Sequence, residues 1–283
     1  MTMEEIGMGR VAGKVAFITG AARGQGRAHA VRLAQEGADI IAVDSCEDVS
    51  SLEYPMATED DLRETERLIR ELGRRVMVRK VDVRDQAALD QVTADGVAAF
   101  GGIDIVSANA GVCGCRPTMD LSDVEWQDMV DINMTGVWRT VKATAPHLIS
   151  AGRGGSIVLT SSVVTMVGAA NVAHYSASKS GVVGLMKTLS AELGKHQIRV
   201  NAVHPGNVAT DMLFSESTLR VFCPDLENPT TDDLRERARG GDVLGQGWVE
   251  AVDISNAVLY LASDEARFVT GVSLPVDCGR RIG

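Results

Sequence analysis

Val15-Ala-Phe-Ile-Thr19 runs without a break into Gly20-Ala-Ala-Arg-Gly-Gln-Gly26, and the helix-like stretch Arg27 to Glu36 follows. An apolar run, a glycine turn and a helix open a βαβ unit. In such a unit the glycines permit a tight turn and the close approach of a pyrophosphate, which the helix N-terminus then faces. The spacing is Gly-x-x-x-Gly-x-Gly rather than the G-x-G-x-x-G dinucleotide fingerprint. A glycine-rich turn of purely structural use is therefore the alternative reading.

The same rhythm continues outward. Asp39 to Val43, Val76 to Val81, Ile103 to Ser107, Ser156 to Thr160, Ile198 to Val203 and Val272 to Val276 read as further strands, apolar enough to be buried on both faces. Glu59 to Leu72, Gln86 to Phe100, Ser122 to Ser150, His174 to Gly194 and Ile254 to Leu261 carry helical spacing of Ala, Val, Leu and Met. The expected fold is α/β, a Rossmann-type doubly wound sheet of about seven parallel strands with helices on both faces and right-handed crossovers. One dinucleotide-binding and catalytic domain is expected to span residues 1–283. Two segments interrupt the alternation, Ser45 to Thr58 and Asn207 to Trp248. Segments this long are lids, binding loops or locally helical insertions. Both fall at the carboxyl edge of the sheet, where open α/β folds bind ligands.

Of the 283 residues, 45% are hydrophobic and 23% charged, a composition that supports a large buried core. The net charge of -10 opposes binding to a phosphate backbone, so nucleic acid is not an expected partner. No apolar run is long enough for a membrane span, and Met1 to Arg10 lacks a signal-peptide pattern, so a soluble, cytoplasmic protein is expected. Five cysteines without a spaced framework fit a reducing compartment. Cys113 and Cys115 are the close pair; with His147 or His174 they would make only a weak metal signature, and no metal is expected.

Asp44 closes the second strand about twenty residues after the glycine loop, where a carboxylate hydrogen-bonds an adenosine ribose. Its charge disfavours a 2′-phosphate and so favours NAD, whereas Arg23 in the loop would favour NADP. A solvated strand-end Asp and a surface Arg are the plainer alternatives. Farther on, Tyr175-Ser-Ala-Ser-Lys179 sets a phenol and an ammonium four residues apart on one helical face. A tyrosine titrates near 10, so it works as a base at neutral pH only if its phenolate is stabilised, here by Lys179 and a nicotinamide cation.

The glycine loop, Asn109-Ala-Gly111, Asn133, Ser162, Tyr175, Lys179 and Pro205-Gly206 occur in an order that resembles the short-chain dehydrogenase/reductases, from about Ala12 to Gly279. The resemblance implies NAD-dependent interconversion of a secondary alcohol and a ketone. It implies that Tyr175 exchanges the proton, Ser162 binds the substrate oxygen, Lys179 lowers the tyrosine pKa and holds ribose, and Asn133 positions a relay water. Ser161 is a strand-end neighbour; Ser162, thirteen residues before Tyr175, has the family spacing. For the cofactor it implies Gly20, Arg23, Gly24, Gln25, Gly26 and Asp44, with Asp82 and Val83 bordering adenine. Asn109, Ala110 and Gly111 would lie beneath, Pro205 and Gly206 alongside, and Val208 and Thr210 at the nicotinamide amide. Asp82 also reads as a helix-initiating cap.

Gly24-Gln-Gly26, Tyr54-Pro-Met56, Phe222-Cys-Pro-Asp-Leu-Glu-Asn-Pro229, Asp253-Ile-Ser-Asn256 and Leu274-Pro-Val-Asp277 are similar to the carveol-dehydrogenase-like branch associated with mycofactocin. Pro205-Gly206-Asn207 and Cys278 depart from it. This narrower resemblance implies an apolar, terpenoid-sized alcohol, covered by Met212, Leu213, Phe214, Leu219, Val221 and Phe222. It also implies an NAD retained beneath the 45–58 insertion and reoxidised in place by mycofactocin, and the family implies a homo-tetramer. A non-catalytic dinucleotide sensor or scaffold is the competing function; it has no chemical need for the Tyr175/Lys179 pair.

Overall fold

Every apolar run of the sequence is a strand of one parallel sheet in the computed structural model, which describes residues 9–282. The strands are β1 Val15–Thr19, β2 Asp39–Asp44, β3 Val76–Lys80, β4 Ile105–Ala108, β5 Gly155–Thr160, β6 Ile198–Pro205 and β7 Ser273–Val276. Their spatial order is β3-β2-β1-β4-β5-β6-β7. The chain reverses direction across the sheet between β1 and β4, which opens a crevice at their carboxyl ends.

Strand periodicity divides the core into two layers. Val15 and Phe17 of β1, with Ile41 and Val43 of β2, face helices α3 (Gln86–Phe100), α5 (Gly136–Ala151) and α6 (Ala173–Leu193). Ala16, Ile18, Ile40 and Ala42 face α1 (Gly24–Gln35), α2 (Glu59–Glu71) and α9 (Ala251–Ala262). The sheet is thus covered on both sides, as its continuous apolar strands require. The expectation of two-sided burial fails at β3, because that strand is at the sheet edge and leaves Arg79 and Lys80 exposed.

The helix expected over 122–150 is interrupted. It consists of α4 (Asp123–Val130), a π turn at Asp131–Thr135, and α5. The widened turn carries Asn133 into the interior and delivers Gly136 against Val83, where a Cβ would lie 2.5 Å from Val83 Cγ2. The late segment is locally helical, with α7 (Glu216–Phe222) and α8 (Thr231–Arg239). Ser215 caps α7, and Thr230 and Asp233 form a capping box on α8. Among the described residues no helix is long and apolar enough to cross a membrane.

Candidate active site

The carboxyl ends of β1 to β6 surround an open chamber of about 790 Å³. Gly20, Gly24, Gln25 and Gly26 form its floor. Gly20 and Gly24 have φ of 66° and 54°, a region that a side chain makes costly. A Cβ on Gly20 would also lie 2.8 Å from Ala110 Cα. Thr19 fixes this approach: its Oγ1 accepts from the backbone N–H groups of Asn109 and Ala110, each at 3.1 Å. The Asn109 amide donates back to the Thr19 carbonyl at 3.1 Å. Thr19 was not among the residues expected from the sequence; a hydroxyl at the last position of an otherwise apolar strand was its signal.

Helix α1 begins at this floor without a side-chain cap and with no acidic residue in its first turn. By contrast, Thr58 and Asp61 close the start of α2 with a capping box. The first-turn N–H groups of α1 therefore remain for an anion supplied from the chamber. Gln25 Oε1 is buried and has no hydrogen-bond partner among the described residues. Together with the glycine floor, these features fit a dinucleotide pyrophosphate.

Asp44 lines the neighbouring wall. Its carboxylate accepts from Ala22 N at 3.0 Å and from Cys46 N at 3.2 Å, so it braces the glycine loop as well as facing the chamber. Burial pushes its pKa up, while those backbone N–H groups oppose the rise. Arg23 lines the chamber too, but its guanidinium is engaged by Asp211 at 3.0 Å and by the Pro55 carbonyl at 2.6 Å. That pairing weakens the reading of Arg23 as a waiting 2′-phosphate partner. Asp82 and Val83 border the same side. Asp82 is not the helix cap that its position suggested: Asp85 caps α3 through Ala88 N, and Asp82 instead holds Arg84 at 2.7 Å.

Across the chamber, Ser162, Tyr175 and Lys179 line one wall. The serine ends the strand β5 segment, and the other two lie on successive turns of α6, four residues apart. Lys179 Nζ donates to the Thr160 carbonyl at 2.9 Å and lies 5.7 Å from the Tyr175 ring centroid. Burial pushes the lysine pKa down to about 8. Burial also pushes the Tyr175 phenol above its ordinary value, opposed by a hydrogen bond with Ser162. Burial thus dominates the Tyr175 phenol in the protein alone, and a Lys179 ammonium together with a bound nicotinamide cation would act in the opposite direction.

Ser161 also borders the chamber, but its hydroxyl donates to the Lys179 carbonyl at 3.1 Å, holding α6 to the sheet. Asn133 stands behind the wall rather than in the chamber. Its amide accepts from Val112 N and donates to the Val112 carbonyl, both at 2.8 Å, and so fixes the segment that begins with Asn109, Ala110 and Gly111. The Asn133 side chain is thus a positioning group for the Val112 segment. Gly111 needs its small size: a Cβ there would sit 3.1 Å from Lys179 Nζ.

Pro205, Gly206, Val208 and Thr210 complete the wall beyond β6. Gly206 lets the chain pass Asp277, whose Cα would be 2.9 Å from a Cβ. Met212, Leu213, Val221 and Phe222 face the chamber. Phe214 and Leu219, expected to share that cover, instead pack with Leu234 and Trp248; the Phe214 and Trp248 rings meet edge to face at 5.2 Å. Tyr54 and Met56 of the insertion also line the chamber. Tyr54 is more than apolar cover, since its phenol oxygen accepts from Cys113 N at 3.2 Å. Cys113 and Cys115 are free thiols on the same wall. Among the described residues no three His, Cys, Asp or Glu side chains are grouped to hold a metal.

A family model described as short chain dehydrogenase matches residues 14–219. The chain belongs to this family. It is also similar over nearly its whole length to (-)-trans-carveol dehydrogenase of Rhodococcus erythropolis, with 50% identity over 273 residues, 96% of this chain and 99% of the relative. The crystal structure of carveol dehydrogenase from Mycobacterium avium in complex with NAD has a TM-score of 0.96 at 57% identity, covering 98% of this chain and 100% of that one. A short chain dehydrogenase from Mycobacterium paratuberculosis bound to NAD follows with a TM-score of 0.87 and 46% identity, covering 96% and 99%.

Proposed function

We propose that this chain is an NAD-dependent oxidoreductase that interconverts a secondary alcohol and a ketone. The observation that carries the reading is the meeting of Ser162, Tyr175 and Lys179 in the chamber that also receives the uncapped start of α1. In the reductive direction the neutral phenol of Tyr175 donates a proton to the carbonyl oxygen, and the Ser162 hydroxyl donates a hydrogen bond to the same atom. In the oxidative direction the Tyr175 oxygen takes the alcohol proton. Bound NAD supplies the hydride acceptor, and NADH the hydride. Lys179 holds the ribose and contributes positive charge beside Tyr175; Asn133 keeps Gly111 and Val112 in register with both. Asp44 and the first turn of α1 bind the adenosine ribose and pyrophosphate.

The substrate is an apolar alcohol of terpenoid size, carveol-like, a reading supported by the similarity to the two carveol dehydrogenases and by Met212, Leu213, Val221 and Phe222 at the chamber. NAD stays bound through turnover and is reoxidised in place by mycofactocin; the support is the 45–58 insertion, tied to the glycine loop through Arg23 and Pro55. The working form is a cytoplasmic homo-tetramer, supported by Trp126, Trp138 and Phe268, large apolar side chains exposed on one chain. A non-catalytic sensor is the reading this set of residues disfavours.

The test is to denature freshly purified protein, quantify released nicotinamide, and assay a panel of cyclic secondary alcohols with free NAD alone and with an artificial electron acceptor. Retained NAD and turnover only with the acceptor are expected. Cofactor-free protein turning over on NAD alone removes the retention reading and leaves the dehydrogenase. Absence of turnover under every condition favours the sensor. Light scattering that shows only a monomer removes the tetramer.

A further inference from the structure

The tail beyond β7 is a hydrogen-bonded turn that ends against the late loop. Asp277 Oδ1 accepts from Gly279 N at 3.0 Å, Asp277 Oδ2 from Arg281 N at 3.1 Å, and the Asp277 carbonyl from Arg280 N at 3.0 Å. This turn is seated against Gly206 and presents Arg280 to the chamber. The Arg280 guanidinium lies 5.9 Å from the Phe222 ring centroid and packs against Gly241, where its Nη1 would be 3.3 Å from a Cβ.

Four arginines line the chamber, and three of them are neutralised by the protein itself. Arg23 pairs with Asp211 at 3.0 Å, Arg84 with Asp82 at 2.7 Å and Arg237 with Asp225 at 2.5 Å. Among the described residues Arg280 has no such carboxylate. Its guanidinium instead lies over the Phe222 ring, and the apolar Val221 and Leu213 line the same chamber. A planar guanidinium in that setting is best satisfied by a carboxylate, which accepts two parallel hydrogen bonds.

We infer that Arg280 is a specificity-determining residue for an anionic group on the substrate, so that the alcohol is amphipathic: an apolar ring under the late loop and a carboxylate at Arg280. This rests on the dehydrogenase reading above and departs from its carveol-like part: the substrate is a hydroxy acid with an apolar body rather than a wholly apolar alcohol. The pyrophosphate of the cofactor is held elsewhere, by the glycine loop and α1, so Arg280 is left for the second ligand.

The experiment compares 3-hydroxycyclohexanecarboxylate with its neutral carboxamide, which has the same shape without the charge. Turnover is read with NAD and an artificial acceptor, and binding to the NAD-loaded protein is read by calorimetry. Wild-type protein is expected to prefer the acid by about 10-fold or more in kcat/KM and in affinity. Arg280→Gln should lower the acid to the level of the amide while leaving the amide within about 2-fold, and Arg280→Lys should keep part of the preference. An Arg280-dependent preference in binding without turnover of either compound supports the anion site and counts against the dehydrogenase reading. No Arg280-dependent preference in turnover or binding overturns the inference, as does an Arg280→Gln variant whose main defect is loss of NAD affinity.

Discussion

Arg23 Nη1 meets Asp211 Oδ2 at 3.0 Å, and the same guanidinium donates to the Pro55 carbonyl at 2.6 Å. One side chain of the glycine loop thus joins the insertion after β2 to the loop after β6. A cofactor lying beneath these two segments would leave more slowly while the Arg23 contacts hold them together. The ion pair is partly exposed and contributes little alone; the charged hydrogen bond to a carbonyl is the stronger contact. Arg23→Gln should therefore speed NAD loss by about 10-fold, measured as release of nicotinamide from loaded protein during gel filtration. Unchanged release would place the barrier elsewhere in the insertion.

Asp44, whose carboxylate lines the chamber while bracing Ala22 and Cys46, is the proposed obstacle to a 2′-phosphate. Asp44→Asn keeps an acceptor for those N–H groups and removes the charge. The NADP to NAD affinity ratio of stripped protein should rise, and the rise should shrink at high salt because the wild-type repulsion is screened. A ratio that does not move would separate Asp44 from the ribose.

Tyr175→Phe preserves the ring and removes the titrating oxygen, so it should retain NAD and lose a factor of about 10² or more in turnover. Lys179, with its pKa lowered by burial to about 8, is charged below that pH and neutral above it. If its charge helps hold the cofactor, wild-type NAD affinity should fall as pH rises through 8, while Lys179→Met should bind weakly with no such inflection. Titration of stripped protein from pH 7 to 9.5 decides this.

His29 is buried between α1 and α9, where its Nδ1 lies 2.8 Å from Ser255 Oγ. Burial lowers its pKa from 6.5 to about 3. The unfolded chain takes up this proton near 6.5 and the fold resists until about 3, so stability present above 6.5 is lost as the pH falls towards 3. His29→Gln should flatten that part of the acid limb, read as Tm against pH. An unaltered slope between pH 6 and 4 would assign the acid sensitivity to other groups.

The strands and the chamber floor were legible because they rest on local pattern. Val15–Thr19 and the glycines after it specify a turn through backbone geometry alone, and seven apolar runs specify a sheet covered on both sides. What the pattern did not contain is set by partners distant in sequence. Arg79 and Lys80 are exposed because β3 is at the edge, a fact of strand order. Asn133 is spent on Val112, Arg23 on Asp211, and Tyr54 on Cys113, each across a gap that no periodicity spans. Phe214, Leu219 and Phe222 are equally apolar and all pack in the Leu234 cluster, yet only Phe222 also reaches the chamber.

The π turn at Asp131–Thr135 bears on how this fold accepts changes in length. A helix advances about 100° per residue, and the widened turn absorbs one extra residue, so deleting one residue there would restore regular bonding with the flanking stripes nearly in phase. Val137, Val141 and Leu148 would stay against the sheet and Met129 beside the Val112 segment, but Asn133 would lose the placement that the widened turn gives it. The turn works as a phase correction between two apolar stripes with different partners. A residue lost at 131–135 would therefore spare the core layers and disturb the site, whereas a residue gained there would exceed what the turn absorbs and rotate α5 by about 100°.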